Sequence, residues 1–366
     1  MPLKLLHAAD FHLDAPFSAL PADKAARRRA EQRDLLSRLA DTARSGGADL
    51  VLLSGDLFDS GEIYAETAQA LSRALGQTGC PVFIAPGNHD FYSPRSPYAS
   101  IPWPDNVHIF QTPELAPVDL PALGCTVWGA AFTAPGREGS PLDGFTAPGD
   151  GRLHLAVLHG DVEGHGRYAP IPRSDIAASG LDYLALGHVH MASGLHKDGT
   201  TAWAYPGCPE GRGFDELGDK GCLWIRLDGA GGVEDEFVPL ALRRYHIIEA
   251  DVSDDPAKAV LSALPPELET DIVRLLLTGE SGVEGLDLAP LEALAAPRCY
   301  SVALRDRTRV RRDLWDRAGE DTLTGLFLRR MQGKLSAAQT PEETALLEQA
   351  VRFGLAALEH REEPMA

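Results

Sequence analysis

Residues 50–61 read Leu50-Val51-Leu52-Leu53-Ser54-Gly55-Asp56-Leu57-Phe58-Asp59-Ser60-Gly61. Four apolar residues of strand length run into a tight polar turn that sets two carboxylates three positions apart. The same form recurs on either side. Upstream, the apolar run Leu3–Ala8 leads into Asp10-Phe11-His12; downstream, the run at 82–85 leads into Gly87-Asn88-His89-Asp90. Between these runs lie stretches with helical spacing. Residues 22–44 carry Leu35, Leu36, Leu39 and Ala43 before Gly46-Gly47, and 62–75 form a shorter stretch of the same kind. Strand, helix, strand, helix, strand predicts an α/β fold with right-handed crossovers. In such a sheet the polar strand ends gather along one edge, where open α/β sheets bind their ligands.

Further apolar runs at 125–130, 153–158 and 181–186 have strand length; the second leads into His159-Gly160-Asp161 and the third into Gly187-His188-Val189-His190. Runs at 222–227 and 233–240 complete a first domain of residues 1–240. A β-α-β-α-β module follows over 241–311, with strands at 245–251, 271–278 and 299–305 and helices at 255–264 and 288–295. Residues 312–366 read as a helical tail, with Leu323, Leu326 and Phe327 on one face of a first helix and Leu347, Val351, Leu355 and Leu358 on one face of a second.

With 366 residues, the chain suits one domain plus a smaller second one at about 150 residues per domain. Its 34 Lys and Arg against 53 Asp and Glu leave a net charge of −19, which excludes attachment to nucleic acid by bulk positive charge but allows a local basic patch. The five cysteines are odd in number, scattered and never in C-x-x-C spacing, which argues against a disulfide framework or a thiolate zinc site. No apolar run approaches the length of a membrane span, and the N-terminal apolar stretch ends at Asp10, too early for a signal-peptide core. A protein of the reducing cytoplasm is expected.

Strand-end Asp and Asn commonly cap helices, and Gly-Asn-His is ordinary turn chemistry. Those readings do not explain five such ends in order. Asp10, His12, Asp56, Asn88, His159, His188 and His190 together predict a metal site. Carboxylates, imidazoles and one amide without a thiolate suit manganese, iron or zinc. There are ligands for two ions, with Asp56 as the natural bridge, an arrangement that serves phosphoester hydrolysis.

The set D-x-H, G-D-x-x-D, G-N-H-D, H-G-D and G-H-x-H resembles the calcineurin-like metallophosphoesterase superfamily. The texture around it (LLHAADFHLDAPF, LLSGDLFDSG, FIAPGNHD) resembles the SbcD-type DNA repair nucleases, which work with an SbcC-type coiled-coil ATPase. Tyr205-Pro206-Gly207-Cys208-Pro209 is similar to that family's G-S-P segment, with Cys208 where Ser is usual. The resemblance covers about residues 1–240, and the module after it resembles the family's cap domain. It implies a β-sandwich flanked by helices (α/β/β/α), a small α/β cap and a helical tail; packing of the tail's apolar stripes back on the protein's own domain is the default, and docking on the partner's coiled coil, as in that family, is the alternative. It further implies a manganese-dependent DNA exonuclease and a homodimer. One ion would be held by Asp10, His12, Asp56 and His190, the other by Asp56, Asn88, His159 and His188. His89 would face the substrate as a catalytic group, with Asp59 holding its imidazole in one tautomer. Asp90 and Asp161 would orient ligands rather than bind metal.

Arg305, Arg307, Arg309 and Arg311 alternate, so an extended segment would turn all four to one side and offer DNA a phosphate-contacting edge; a solvated face is the plainer reading. Arg27-Arg28-Arg29 with Arg33 reads as a solvated helical face. His165, in the Gly164-His165-Gly166 loop, is a further candidate for substrate contact, whereas His7, His108 and His154 read as core or surface histidines. Two rival functions remain: the same chemistry on a small nucleotide or phosphoprotein, which the acidic charge favours, and a scaffold that regulates a partner ATPase.

Overall fold

A computed structural model describes residues 2–18, 20–60, 63–164, 166–282, 285–310 and 315–358. The chain divides into two compact units, Met1–Arg244 and Tyr245–Ala366.

The first unit opens with β1 (Leu3–Ala8), α1 (Ala22–Ser45), β2 (Leu50–Leu53), α2 (Ala65–Gly76), β3 (Val82–Ile84), α3 (Pro97–Ser100) and β4 (Val107–Ile109). It continues with β5 (Ala116–Leu120), β6 (Cys125–Gly129), β7 (Leu153–His159), α4 (Arg173–Ser179), β8 (Tyr183–Gly187), β9 (His196–Asp198), β10 (Thr201–Ala204), β11 (Gly221–Leu227) and β12 (Val233–Pro239). These strands form two six-stranded sheets, ordered β12-β11-β1-β2-β3-β4 and β5-β6-β7-β8-β10-β9. Strands β1 to β4 run parallel, as do β6, β7, β8 and β10.

The period-2 alternation of side chains builds the layers. One face of the first sheet (Leu3, Leu5, Leu50, Leu52, Phe83) meets one face of the second (Val127, Leu155, Val157, Tyr183) in a buried inter-sheet core. The other face of the first sheet (Leu6, Ala8, Val51, Leu53, Ile84) is covered by Leu35, Leu36, Leu39 of α1 and Leu71, Leu75 of α2. Ile176 of α4 covers Leu158, Leu184 and Leu186 on the outer face of the second sheet. The result is the expected helix–sheet–sheet–helix sandwich. Both sheets are buried on two faces, which is why their central strands read as continuous apolar runs.

Arg28 departs from the expected solvated face of α1: its side chain is fully buried, while Arg27 stays exposed. Arg28 donates to Glu31 Oε2 (2.8 Å) and also bonds Glu210 and the Gly211 carbonyl. Arg243 clasps Glu31 from the other side at 2.6 and 2.9 Å. Charge spacing on a helix does not reveal which cation meets a carboxylate some 180 residues away.

The second unit holds β13 (Tyr245–Asp251), α5 (Pro256–Ala263), β14 (Ile272–Thr278), β15 (Glu280–Ser281), α6 (Leu288–Ala295), β16 (Ser301–Asp306), β17 (Arg309–Val310), α7 (Leu323–Ala337) and α8 (Pro341–Leu358). The parallel sheet β13-β14-β16 packs Leu275, Leu277 and Leu304 with Val260 and Leu291 of its helices. The helical tail belongs to the same compact unit as the cap-like module. The buried stripe of α7 is Leu328 and Met331, packed against Val310, Val351 and Leu355. Leu323 and Leu326, expected on the apolar face with Phe327, are exposed instead, as are Leu346 and Phe353. Gly325 continues this stripe at three-residue spacing, and a Cβ there would lie 2.1 Å from the Glu320 carbonyl oxygen, so the face turned inward is the one that carries the glycine. Among the described residues, no helix is long and apolar enough to cross a membrane.

Candidate metal centre

Five strands from two sheets deliver the polar ends to one mouth of the sandwich. Asp10 and His12 follow β1, Asp56 and Asp59 follow β2, and Asn88 and His89 follow β3; His159 ends β7, and His188 and His190 follow β8. The loops are tied to one another by main-chain bonds, Asp10 N to the Gly55 carbonyl and His12 N to the Asp56 carbonyl, each 3.0 Å. Asp10, His12, Asp56 and His188 all have positive φ (56°, 45°, 49° and 110°). Non-glycine residues avoid that region, so the surrounding packing holds these side chains in a strained presentation. Gly87 is required beside them: a Cβ there would lie 2.2 Å from Asp56 Oδ1.

Asp10, His12, Asp56 and His159 are buried, Asn88, His188 and His190 are half-buried, and His89 is exposed at the rim. His12 Nε2 faces His190 Nε2 at 3.2 Å, and His159 Nε2 lies 3.4 Å from Asp56 Oδ2 and 3.0 Å from Asn88 Oδ1. The far nitrogens of three rings meet acceptors. His12 Nδ1 meets Asp59 Oδ1 (3.1 Å), His159 Nδ1 the Ser54 carbonyl (2.9 Å) and His190 Nδ1 Glu216 Oε1 (2.7 Å). An acceptor behind Nδ1 keeps the proton there and leaves the Nε2 lone pair facing inward, the way metal-ligating histidines are oriented.

The charges point the same way. Burial pushes Asp10 up to about 7, and burial holds His12 and His188 down at about 4. Burial also opposes charge on Asp56 and His159, but their mutual attraction prevails. Asp56 stays well below the usual carboxylate range and His159 rises to about 9. A proton on His159 thus neutralises a buried acid, work that a bound cation would take over. Asp10, His12 and His190, and likewise Asp10, Asp56 and His159, bring their ligand atoms within 4.8 Å of one another. Hard oxygens and imidazole nitrogens without a thiolate fit a pair of divalent ions.

Asp90 is buried and accepts from Leu57 N (2.7 Å), Phe58 N (3.1 Å), Gly87 N (2.8 Å) and the Tyr98 hydroxyl (2.5 Å), locking the β2 and β3 loops together. His89 also falls within 4.8 Å of His12 and Asp56. Its Nδ1 donates to the backbone carbonyl of Asp59 (3.0 Å). The expected bond to the Asp59 carboxylate is therefore replaced by one to the same residue's main chain; the carboxylate is engaged by His12 and by Arg212 Nη1 (3.1 Å). His7 is a satisfied core histidine between the sheets, bonded to Tyr183 (2.9 Å) and Ser54 (3.0 Å). Arg305, Arg307 and Arg309 are exposed in the second unit, where the strand breaks between β16 and β17. His165 and Arg311 lie outside the described residues.

Sequence reasoning missed Arg212, Glu216 and Lys220, which surround His190. They sit in a glycine-rich stretch that follows β10 and matches no ligand pattern. The available signal was the proximity of that stretch to the Pro206-Gly207-Cys208-Pro209 turn.

Residues 3–192 match the family described as Calcineurin-like phosphoesterase. A Bacillus subtilis protein named "Uncharacterized metallophosphoesterase YhaO" is 32% identical over 247 residues, 64% of this chain and 60% of that protein. The DNA double-strand break repair protein Mre11 of Aeropyrum pernix is 29% identical over 275 residues, 69% of this chain and 64% of that protein. One of the subunits of the nuclease SbcCD from Escherichia coli K12 is 34% identical over 91 residues, 24% of this chain and 21% of that protein. The match thus spans less than two thirds of each relative's length.

Proposed function

From the premise that the chain belongs to the calcineurin-like phosphoesterase family and is a metal-dependent phosphoesterase, we propose that it is a two-ion, manganese-dependent phosphodiesterase that shortens DNA from its ends. The observation that carries the two-ion reading is the inward convergence of Nε2 of His12, His159 and His190 on Asp10 and Asp56, each ring held from behind by an acceptor. In this reading Asp10, His12, Asp56 and His190 hold one ion, and Asp56, Asn88, His159 and His188 hold the other. Such a pair supplies Lewis-acid activation of water and neutralises charge gathering on the phosphoryl group.

The chain's own groups do the rest. Asp56 Oδ2 lies 3.7 Å from His12 Nε2 and 3.4 Å from His159 Nε2, so Asp56 would serve both ligand sets, and its Oδ1 accepts from His89 N at 2.9 Å, which fixes the carboxylate plane. His89 keeps a proton on Nδ1 for the Asp59 carbonyl, so Nε2 is the atom that holds or passes a proton at the open rim. From there it protonates the departing alkoxide, a role worth about 10²–10⁴-fold in rate. Asn88 offers an uncharged oxygen beside His159, so the site accommodates an anionic diester without a further negative charge.

DNA as substrate rests on the names of two relatives, a double-strand break repair protein and a component of a nuclease, and on the exposed Arg305, Arg307 and Arg309. The SbcC-like ATPase partner and the homodimer are proposed on the same ground. Exposed Leu323, Leu326, Leu346 and Phe353 on α7 and α8 support the partner. The buried, unpaired cysteines suit the cytoplasm. The −19 charge favours a second reading, in which the same site cleaves a small nucleotide or phosphoprotein ester. The test is degradation of an end-labelled duplex with manganese and with a chelator, beside bis-p-nitrophenyl phosphate. Manganese-dependent shortening supports the nuclease. Hydrolysis of the small ester alone, also with an ATPase partner present, refutes it in favour of the second reading.

A further inference from the structure

The segment after β10 is folded around one residue, His190. Its carbonyl accepts from Lys220 Nζ (3.0 Å) and from Cys208 N (3.3 Å). Its Nδ1 lies 2.7 Å from Glu216 Oε1 and 3.0 Å from Arg212 Nη2. Glu216 is in turn held by Arg212: Oε1 accepts from Nη2 (2.7 Å), and Oε2 accepts from Arg212 N (2.7 Å). The other arm of the guanidinium reaches across to Asp59 Oδ1 (3.1 Å), the carboxylate behind His12 Nδ1. His12 and His190 face each other through Nε2.

We propose that Arg212 and Glu216 form a clamp that sets the tautomers of His12 and His190 together and so tunes affinity at one of the two metal subsites. The proposal rests on the two-ion reading above. Nδ1 of His190 has two neighbours of opposite demand. If Nδ1 keeps the proton and donates it in a hydrogen bond to Glu216, Nε2 presents a lone pair to the subsite. If Arg212 donates to a bare Nδ1, the proton moves to Nε2 and the ring stops being a ligand. Salt-bridging Arg212 to Glu216 and Asp59 selects the first state, because it occupies the guanidinium with carboxylates and aims both carboxylates at imidazoles. The planar fork spans two acids in a way the point charge of a lysine does not. Arg212 and Glu216 are positioning residues, acting through the histidines.

The clamp touches only the Asp10, His12, Asp56 and His190 subsite, which makes its effect separable. Glu216→Gln is nearly isosteric, yet either amide orientation turns an NH2 group toward a donor, Arg212 N–H on one side or His190 Nδ1–H on the other. Arg212→Lys keeps the charge and loses the bridge. Manganese binding to the full chain is measured by calorimetry and by electron paramagnetic resonance, with thermal melting as a check on folding. The wild type should bind two ions. Each variant should weaken one binding event by about 10–100-fold, the usual effect of removing a group behind a ligand. The other event should stay within about threefold. Equal weakening of both events, or wild-type binding by both variants, overturns the clamp. A wild type that binds fewer than two ions overturns the two-ion reading and the clamp with it.

Discussion

Replacing Arg28 by Met removes a guanidinium that solvent does not reach. Its partners fare differently. Glu31 keeps Arg243 at 2.6 and 2.9 Å. Glu210, equally buried, is left with Leu242 N at 3.3 Å and Arg38 Nη2 at 3.9 Å. One buried carboxylate is thereby stranded, and breaking such a pair from one side costs about 3–5 kcal/mol. For a unit of this size that is a fall of about 6–20 °C in melting temperature, at about 2–4 °C per kcal/mol. Of the five tryptophans, Trp103, Trp128, Trp203 and Trp224 lie in the first unit, so tryptophan fluorescence follows mainly the relevant transition. Burial already raises the Glu210 carboxyl despite Arg28, and losing Arg28 raises it further. A folded value above the unfolded one costs stability only where the unfolded group is ionised, so the loss should be largest near pH 7 and shrink toward pH 5. The double variant Arg28→Met, Glu210→Leu removes both charges and should recover most of the loss. A single-variant loss of about 0.5 kcal/mol or less, as for an ordinary surface arginine, would refute the reasoning.

Three other outcomes follow from the site and the second unit. His89→Gln should lower hydrolysis of bis-p-nitrophenyl phosphate by about 10²–10⁴-fold while calorimetry still counts two manganese ions; loss of an ion would make His89 a ligand. Asp10, at about 7, and His159, at about 9, must each shed a proton to bind metal, so apparent manganese affinity should rise with pH from 6 to 9 with proton release. An affinity flat over that range contradicts the assignment. The triple change of Arg305, Arg307 and Arg309 to Gln should flatten the log K against log salt slope for duplex DNA by about 3, near 0.9 per lost phosphate contact. An unchanged slope leaves that edge as a solvated face.

What the sequence discloses follows from how local each determinant is. The strands β1, β2, β7 and β8 announce themselves because burial on both faces forces unbroken apolar runs. The candidate ligands are legible because each sits within a few residues of a strand end, where chain order and spatial order coincide. Edge strands such as β4, β5 and β9 are short and half-exposed and carry no comparable pattern. Arg28, Glu210, Arg212 and Glu216 stayed illegible for a different reason. A charge is read as solvated unless its partner is known, and here partners are separated by up to 182 residues. Yet these pairs act on the same loops as the legible motif. Gln32, four residues from Arg28 on α1, donates to the carbonyls of Phe11 and His12, while Arg28 fastens Glu210 at the start of the stretch that holds His190. One helix face thus tethers the loops bearing two proposed ligands from opposite sheets, which is why an arginine that looks like surface charge belongs to the support of the candidate metal centre.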